Sequence, residues 1–466
     1  MPVSPTYRPD PRHPSLGPAF FDPVRPADFP ELTLRWRNDR AAASVGLDAL
    51  TDAEWLDHFG SFEPLPDNLS EPLALRYHGH QFRAYNPDIG DGRGFLFAQL
   101  RDGDGRLMDL GTKGTGTTPH SRSGDGRLTL KGAVRELLAT EALEALGVPT
   151  SRTLSIVETG ERLWRGDEPS PTRSAALVRL QRTHIRIGTF QRLSHQGDAD
   201  AIRRLVAYCA ETYGVGQGKA GEAASEPASF LRDVIDRVAD TGAAWWVAGF
   251  VHGVLNTDNI VVTGDSFDYG PWRFLEAHDP GKVAAYFDQT GLYAFARQPE
   301  ALSWNLTRLA ECLLLAWEDA HDGLVAALEA FPARFEAHLV RRTHVHLGLA
   351  AGEGDAARER VRLLYKAMRE TAAPHHATLD ALAAGERPAI TDWTVEPWRE
   401  ALAALESAAR IATCDASLPS MAYSTVEALW EPIAASDDWA PLMDHVAALR
   451  AYGAARAEAN ERAPAG

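Results

Sequence analysis

The residues best suited by type and setting to do chemistry are Asp258, Asn259 and a later acid, Asp268. They lie in His252-Gly-Val-Leu-Asn-Thr-Asp258-Asn259-Ile260 and Asp268-Tyr269-Gly270, polar groups inside strongly apolar surroundings. Carboxylate and amide oxygens enclosed in this way suit a divalent cation that bridges the phosphates of a nucleotide. Upstream, Ile89-Gly90-Asp91-Gly92-Arg93-Gly94 is a glycine-rich turn whose backbone N–H groups can approach phosphate closely. It precedes an apolar, strand-like run from Phe95 to Leu100, and a second strand from Arg106 to Gly114 carries Lys113. Lysine there adds a point charge, which needs a carboxylate to hold it. Glu136 is the candidate partner. It stands early in Lys131 to Leu146, where Val134, Leu137, Leu138, Leu143 and Leu146 recur at helical spacing and Gly147 supplies the stop.

Strand lysine, helix glutamate, loop asparagine and following aspartate occur in protein-kinase order. A Gly-rich turn or a Lys-Glu pair taken alone is more often a hairpin or a solvated contact, so the joint order carries the weight. One position departs. Small-molecule kinases carry His-Gly-Asp where this chain has Val254, so the metal ligands are kept and the usual base is missing. His252 reads as a loop-ordering residue and Tyr269 as a packing one.

Longer motifs name a family. Tyr77-His-Gly-His-Gln-Phe82, Asp109-Leu-Gly-Thr-Lys113-Gly-Thr-Gly, Thr118-Pro-His-Ser-Arg122-Ser-Gly-Asp125-Gly126-Arg127, His184-Ile-Arg186-Ile-Gly-Thr-Phe190 and the His252 to Gly270 segment closely resemble the selenoprotein O (YdiU) family. Gln298-Pro299 and Trp304-Asn305-Leu306 extend the resemblance, which covers roughly residues 70 to 310. It implies a protein-kinase-like fold that transfers AMP instead of phosphate. Lys113 and Glu136 then match the kinase-type ion pair, and Gly90, Gly92 and Arg93 the loop that contacts nucleotide. Asp125 and Gly126 match a further nucleotide-binding turn. Arg179 and Arg186 match two arginines that clamp phosphates, a task suited to the planar guanidinium. Asn259 and Asp268 match the metal ligands, Mg²⁺ or Mn²⁺, and Asp258 the proton acceptor. Read from its surroundings alone, Arg179 lies in the alternating run Ala175 to Leu180, whose default is an exposed strand face.

The same resemblance implies that ATP binds flipped, with its γ-phosphate among Arg and Lys side chains and its α-phosphate facing the acceptor. Pyrophosphate becomes the leaving group. The acceptor would be a Ser, Thr or Tyr hydroxyl on a protein substrate, including the enzyme itself. A loose transition state asks little of a base, so Asp258 has a second reading as a loop-orienting residue or a ligand through water. Three functions stay open: a protein adenylyltransferase, which is favoured, a kinase-like phosphotransferase, and an inactive ATP-binding pseudokinase scaffold. Three departures from the family pattern stand out. Arg83 follows Phe82 where the family usually has Gly, Leu292 precedes Tyr293 where it tends to carry Arg, and the tail Glu461 to Gly466 lacks the redox-active Cys or selenocysteine found near the end of many members. A terminal redox switch is therefore not expected.

The elements needed to position these residues set the fold class: α+β, a two-lobed protein-kinase-like fold with a small strand-rich N-lobe, a helical C-lobe and additional C-terminal helices. The expected organisation is a Pro-rich extension packing on the core over 1–68, a nucleotide-binding N-lobe over 69–190, a helical C-lobe with the catalytic loop over 191–330, and a C-terminal helical region over 331–466. Leu231 to Phe250 places Val234, Ile235, Val238, Gly242, Trp245 and Trp246 on one helical face. Gly214 to Pro227 reads as a mobile loop, and His344, His346, His375 and His376 as surface or capping residues, since no third ligand is suitably spaced. With 466 residues, 45% of them hydrophobic, the chain can bury a large core. A net charge of -17, from 47 Lys+Arg against 64 Asp+Glu, argues against nucleic acid as partner. The absence of an apolar run of about 18 residues and of a signal-type N-terminus argues against a membrane and for the cytoplasm. Cys209, Cys312 and Cys414 are widely spaced and are expected to stay reduced.

Overall fold

The computed structural model describes residues 4–166, 168–217, 226–352, 354–387 and 392–461. Its strands in chain order are β1 (Phe21–Pro23), β2 (Thr33–Arg37), β3 (Leu73–Leu75), β4 (Gly79–Gln81), β5 (Ala84–Asn86), β6 (Leu96–Arg101), β7 (Leu107–Lys113), β8 (Leu128–Thr129), β9 (Arg152–Leu163), β10 (Thr172–Gln181), β11 (Phe250–Val251) and β12 (Arg273–Phe274). The main sheet is antiparallel in the order β1-β3-β6-β7-β10-β9-β2, with β8 added to β10. Helices α1 (Asp39–Ser44) and α2 (Asp52–Phe59) precede β3, and α3 (Leu130–Ala145) separates β8 from β9. Then follow α4 (Ile187–His195), α5 (Ala199–Tyr213), α6 (Pro227–Val247), α7 (Gln298–Ala316), α8 (His321–Glu329), α9 (Phe331–Leu347), α10 (Gly354–Glu370), α11 (His375–Ala384), α12 (Glu396–Glu406), α13 (Tyr423–Ser436) and α14 (Ala440–Glu461). The protein is α+β.

Both faces of the sheet are covered, which explains why its strands are apolar along most of their length. On β7 the period-2 alternation puts Met108 and Leu110 in a core with Trp55, Phe59, Phe97, Val178 and Leu180. Leu107 faces the opposite core, with Leu177, Ile156 and the α3 residues Val134, Leu137 and Leu138. The stretch expected as a packed extension does more than pack: it supplies both outer strands, β1 pairing Phe21 with Leu75 and β2 pairing Thr33 with Glu158. These strands are three and five residues long, too short for an alternation to show.

Helix α6 begins earlier than its apolar pattern suggests, because Pro227 occupies the first turn where a missing N–H costs nothing. It also ends sooner, at Val247, and Phe250 passes into β11. Its two tryptophans diverge. Trp245 is buried in the main core and donates to Ser266 Oγ at 3.1 Å, whereas Trp246 packs on Phe295 and Tyr365 beside a second core under α9 to α12. Gly242 allows α7 to approach, since a Cβ there would lie 2.7 Å from Leu302 Cδ1. The four histidines are not at the surface. His344, His346 and His375 are buried, and the rings of His375 and His376 donate to Val247 O and Ala248 O at 3.0 and 2.8 Å, capping the last carbonyls of α6. Packing of the second core against α6 accounts for their burial. Of the loop expected at Gly214 to Pro227, residues 218–225 lie outside the described residues, as do 462–466 of the tail. The three cysteines are buried and free, and among the described residues no helix is long and apolar enough to cross a membrane.

Candidate active site

Lys113 ends β7, and Glu136 sits in the second turn of α3, a helix whose start is fixed by Thr129 Oγ1 accepting from Gly132 N at 3.1 Å. Lys113 Nζ donates to Glu136 Oε2 at 2.6 Å and lies 2.9 Å from Asp268 Oδ1. Arg179, opposite Gly111 in the β7–β10 register, points to the same side, with Nη1 3.6 Å from Glu136 Oε1 and 3.5 Å from Asp268 Oδ1. Asn259 Nδ2 donates to Asp268 Oδ2 at 3.3 Å. Lys113, Glu136 and Arg179 are buried, while the Asp268 side chain is 30% exposed, so the acid stands at the lip of a buried cationic floor. Burial alone would raise the Asp268 pKa. Lys113, Arg179 and Arg93 outweigh it and hold the carboxyl well below its ordinary range. Its backbone has φ +60°, a strained choice for a residue with a side chain, and the neighbouring Phe267 O is held at 3.0 Å by His252 Nε2.

Arg186 forms the second part of the floor. It is buried at the entry to α4, with its guanidinium 4.2 Å from the Tyr77 ring, 5.4 Å from Phe267 and 3.2 Å from Asp91 Oδ1. Arg186 Nη1, Arg179 Nε and Asp258 Oδ1 are buried without a partner. Unfilled guanidinium donors of this kind fit a polyanion such as a phosphate chain. Burial, opposed by Arg186 and aided by Asp268, pushes the Asp258 carboxyl up to about 7. The loop bearing it is tied to β4 and β5: Thr257 Oγ1 accepts from His80 N at 2.8 Å, and Asn256 Oδ1 from Phe82 N and Tyr293 Oη at 3.0 and 2.8 Å.

The glycine-rich turn is pinned. A Cβ at Gly90 would fall 2.5 Å from the His120 ring and one at Gly92 2.8 Å from His120 O, while Thr118 Oγ1 and Ser121 Oγ donate to Asp91 O and Gly92 O. Arg93 is exposed, and its carbonyl accepts from Gly114 N and Thr115 N just beyond Lys113. Asp125 stands outside the network. Its carboxylate pairs with Arg165 at 2.8 Å, and Gly126 O, accepting from Gly116 N at 3.1 Å, joins this turn to the segment after Lys113. Thus Lys113, Glu136, Arg179, Asn259 and Asp268 form one contact network, with Arg186 and Asp258 beside it. Asp91, Tyr77 and Phe267 were not singled out by type. All three do lie within the glycine turn or the motifs that carry the family resemblance.

Asn259 and Asp268 offer hard oxygen donors, the kind Mg²⁺ or Mn²⁺ takes alongside substrate phosphates and water. Among the described residues no group of three or more His, Cys, Asp or Glu could hold a metal ion by itself. A cavity of about 680 Å³ bordered by Val340, His344 and Leu349 contains none of these groups, so concavity alone does not find the network.

The comparisons agree on one family. A family model described as protein adenylyltransferase SelO matches residues 5–402. The protein nucleotidyltransferase YdiU of Gloeobacter violaceus is 43% identical over 465 residues, covering 95% of this chain and 94% of the relative. Proteins of the same name from Synechococcus elongatus and a Synechocystis species are 49% and 48% identical, covering 74% and 73% of this chain and 68% and 71% of their own lengths. Sharing these matches over most of its length, the chain belongs to the SelO family of protein adenylyltransferases.

Proposed function

We propose that this enzyme transfers AMP from ATP to Ser, Thr or Tyr hydroxyls of protein substrates, itself included, and releases pyrophosphate. The observation that carries this is the meeting of Lys113, Asn259 and Asp268, from three separate elements, within 2.9 and 3.3 Å contacts. The kinase-like two-lobed description goes with it: residues 69–190 as the nucleotide lobe, 191–330 as the catalytic-loop lobe, and 1–68 and 331–466 as buttresses.

In the transfer, the acceptor oxygen forms a bond to the α-phosphorus as the bond from that phosphorus to the pyrophosphate oxygen breaks. The hydroxyl proton passes to Asp258, whose Oδ1 is buried without a partner. The unfilled donors of Arg179 and Arg186, themselves buried, meet the charge that grows on pyrophosphate. Lys113, held by Glu136, orients the phosphates and costs no rearrangement at the moment of reaction. Asn259 and Asp268 would hold Mg²⁺ or Mn²⁺, which neutralises phosphate charge when bound. Arg93, Gly90 and Gly92 flank the nucleotide, with Asp125 and Gly126 as the outer turn. Three free, buried cysteines support a cytoplasmic setting.

Val254 weighs against phosphoryl transfer to a small hydroxyl compound, since the acid that kinases of such compounds use is missing. Incubation with ATP labelled separately at the α- and γ-phosphates is the test. Label from α appearing on protein is expected. Label from γ alone would establish the phosphotransferase instead, and ATP binding with neither label transferred would leave a scaffold.

A further inference from the structure

We propose that Asp109, acting through His184, is the positioning residue that sets the spacing of the two site arginines, Arg179 and Arg186. Neither Asp109 nor His184 touches the Lys113–Asp268 network, and no role in the proposed chemistry absorbs them, although both belong to the motifs of the sequence.

On β7, Asp109, Gly111 and Lys113 share a face, and the register sets Gly111 opposite Arg179 and Asp109 opposite Gln181. Gly111 leaves a hole in that face. A Cβ there would lie 2.0 Å from His184 Nε2, so the histidine ring occupies the space a side chain would take. The chain reaches this hole because it turns back across the sheet after β10. The turn is clasped by a single carboxylate oxygen: Asp109 Oδ2 accepts from the His184 backbone N–H at 2.9 Å and from its ring Nδ1 at 3.1 Å. The other oxygen accepts from Gln99 Nε2 at 2.7 Å, and Gln99 Oε1 in turn accepts from His13 N at 2.7 Å. Asp109 and His184 are 1% and 4% exposed, so the whole clasp is dry.

Arg179 precedes this clasp on β10 and Arg186 follows it by two residues. Both guanidiniums lie over the Phe267 ring, at 5.5 and 5.4 Å, and the His184 ring meets the same phenyl edge-on at 6.4 Å. The clasp therefore fixes the chain between the two cations and one wall of the ring beneath both. With Nδ1–H donated to Asp109, Nε2 carries a lone pair, and it is buried without a partner. A neutral ring in this hole adds no third cation between the arginines.

The inference rests on the proposed ATP site, and titration calorimetry with ATP and with adenosine separates the two. Loss of arginine spacing should weaken phosphate binding and spare the nucleoside. We expect Gly111→Ala and His184→Ala to weaken ATP binding about tenfold or more while adenosine binding changes less than about twofold. His184→Phe, which refills the hole without the ring donor, should behave as His184→Ala does and serves if that variant does not fold. Asp109→Ala removes the acceptor of both His184 donors and should weaken ATP binding as His184→Ala does. Parallel loss of ATP and adenosine, unchanged ATP binding in the histidine variants, or unchanged ATP binding in Asp109→Ala would overturn the positioning role. A wild-type protein that binds neither molecule would instead overturn the ATP site itself.

Discussion

At the scale of single residues, Asp268 combines strain, charge and exposure. Its left-handed backbone is tolerated because Phe267, Tyr269 and His252 are all buried around it. Asp268→Ala would remove the acid that Lys113, Arg179 and Asn259 share, and AMP transfer should fall to below about 1% of wild type, measured by α-labelled ATP. Gly126 has φ +69° and a Cβ there would lie 2.2 Å from the Gly116 carbonyl. Gly126→Ala should therefore cost about 1–3 kcal/mol in urea unfolding. The convergence of Lys113, Glu136, Asn259 and Asp268 was legible because the four occur together in kinase order, whereas a Lys-Glu pair alone would read as a solvated contact. Arg179 was harder to read from its own surroundings. An alternating strand announces two faces but not that both are covered, and β10 is buried on each side of the arginine. Asp91, whose carboxylate pairs with Arg186, could not be told from an ordinary turn residue, since nothing local marks a partner so distant in sequence.

Among elements, α3 carries the most. It holds Glu136 under the sheet, and the later helices brace it: Arg450 of α14 makes two 2.7 Å contacts with Glu141, and Gly453 lets α14 pass beside Ala145. Thr129→Ala removes its N-cap and should lower stability by about 1 kcal/mol, read from the midpoint of urea unfolding. Its limits were readable to within a residue because the leucine spacing and Gly147 agree with the cap. The hairpin of β4 and β5 was not readable as such. Phe82 and Arg83 both take positive φ, +49° and +65°, in a two-residue loop that ordinarily calls for Asn-Gly. Arg83 is held there by Glu300 at 2.8 Å and by the Trp304 ring at 5.7 Å.

For the whole molecule, the second core under α9 to α12 brings titratable groups out of water. Burial, assisted by Arg369, lowers His278 from 6.5 to about 4, and burial with Arg456 does the same for His346. Between those values the unfolded chain binds protons that the folded one refuses, so stability is full above pH 6.5 and declines as pH falls toward 4. Each histidine should contribute on the order of 1–2 kcal/mol of loss between pH 7 and 5, seen as a lower urea midpoint, and a flat profile would contradict their neutral burial. The helical composition of this region was legible from its leucine and alanine spacing, but not which helices share a core, because that depends on pairings far apart along the chain. The outer strands β1 and β2 have a comparable dependence, with a consequence for synthesis. Thr33 has no ladder partner until Glu158 has been made, and Phe21 none until Leu75. β1 can therefore close on β3 as soon as Leu75 is available, whereas β2 has to wait for β9, so the two margins of the sheet are completed at different times during synthesis.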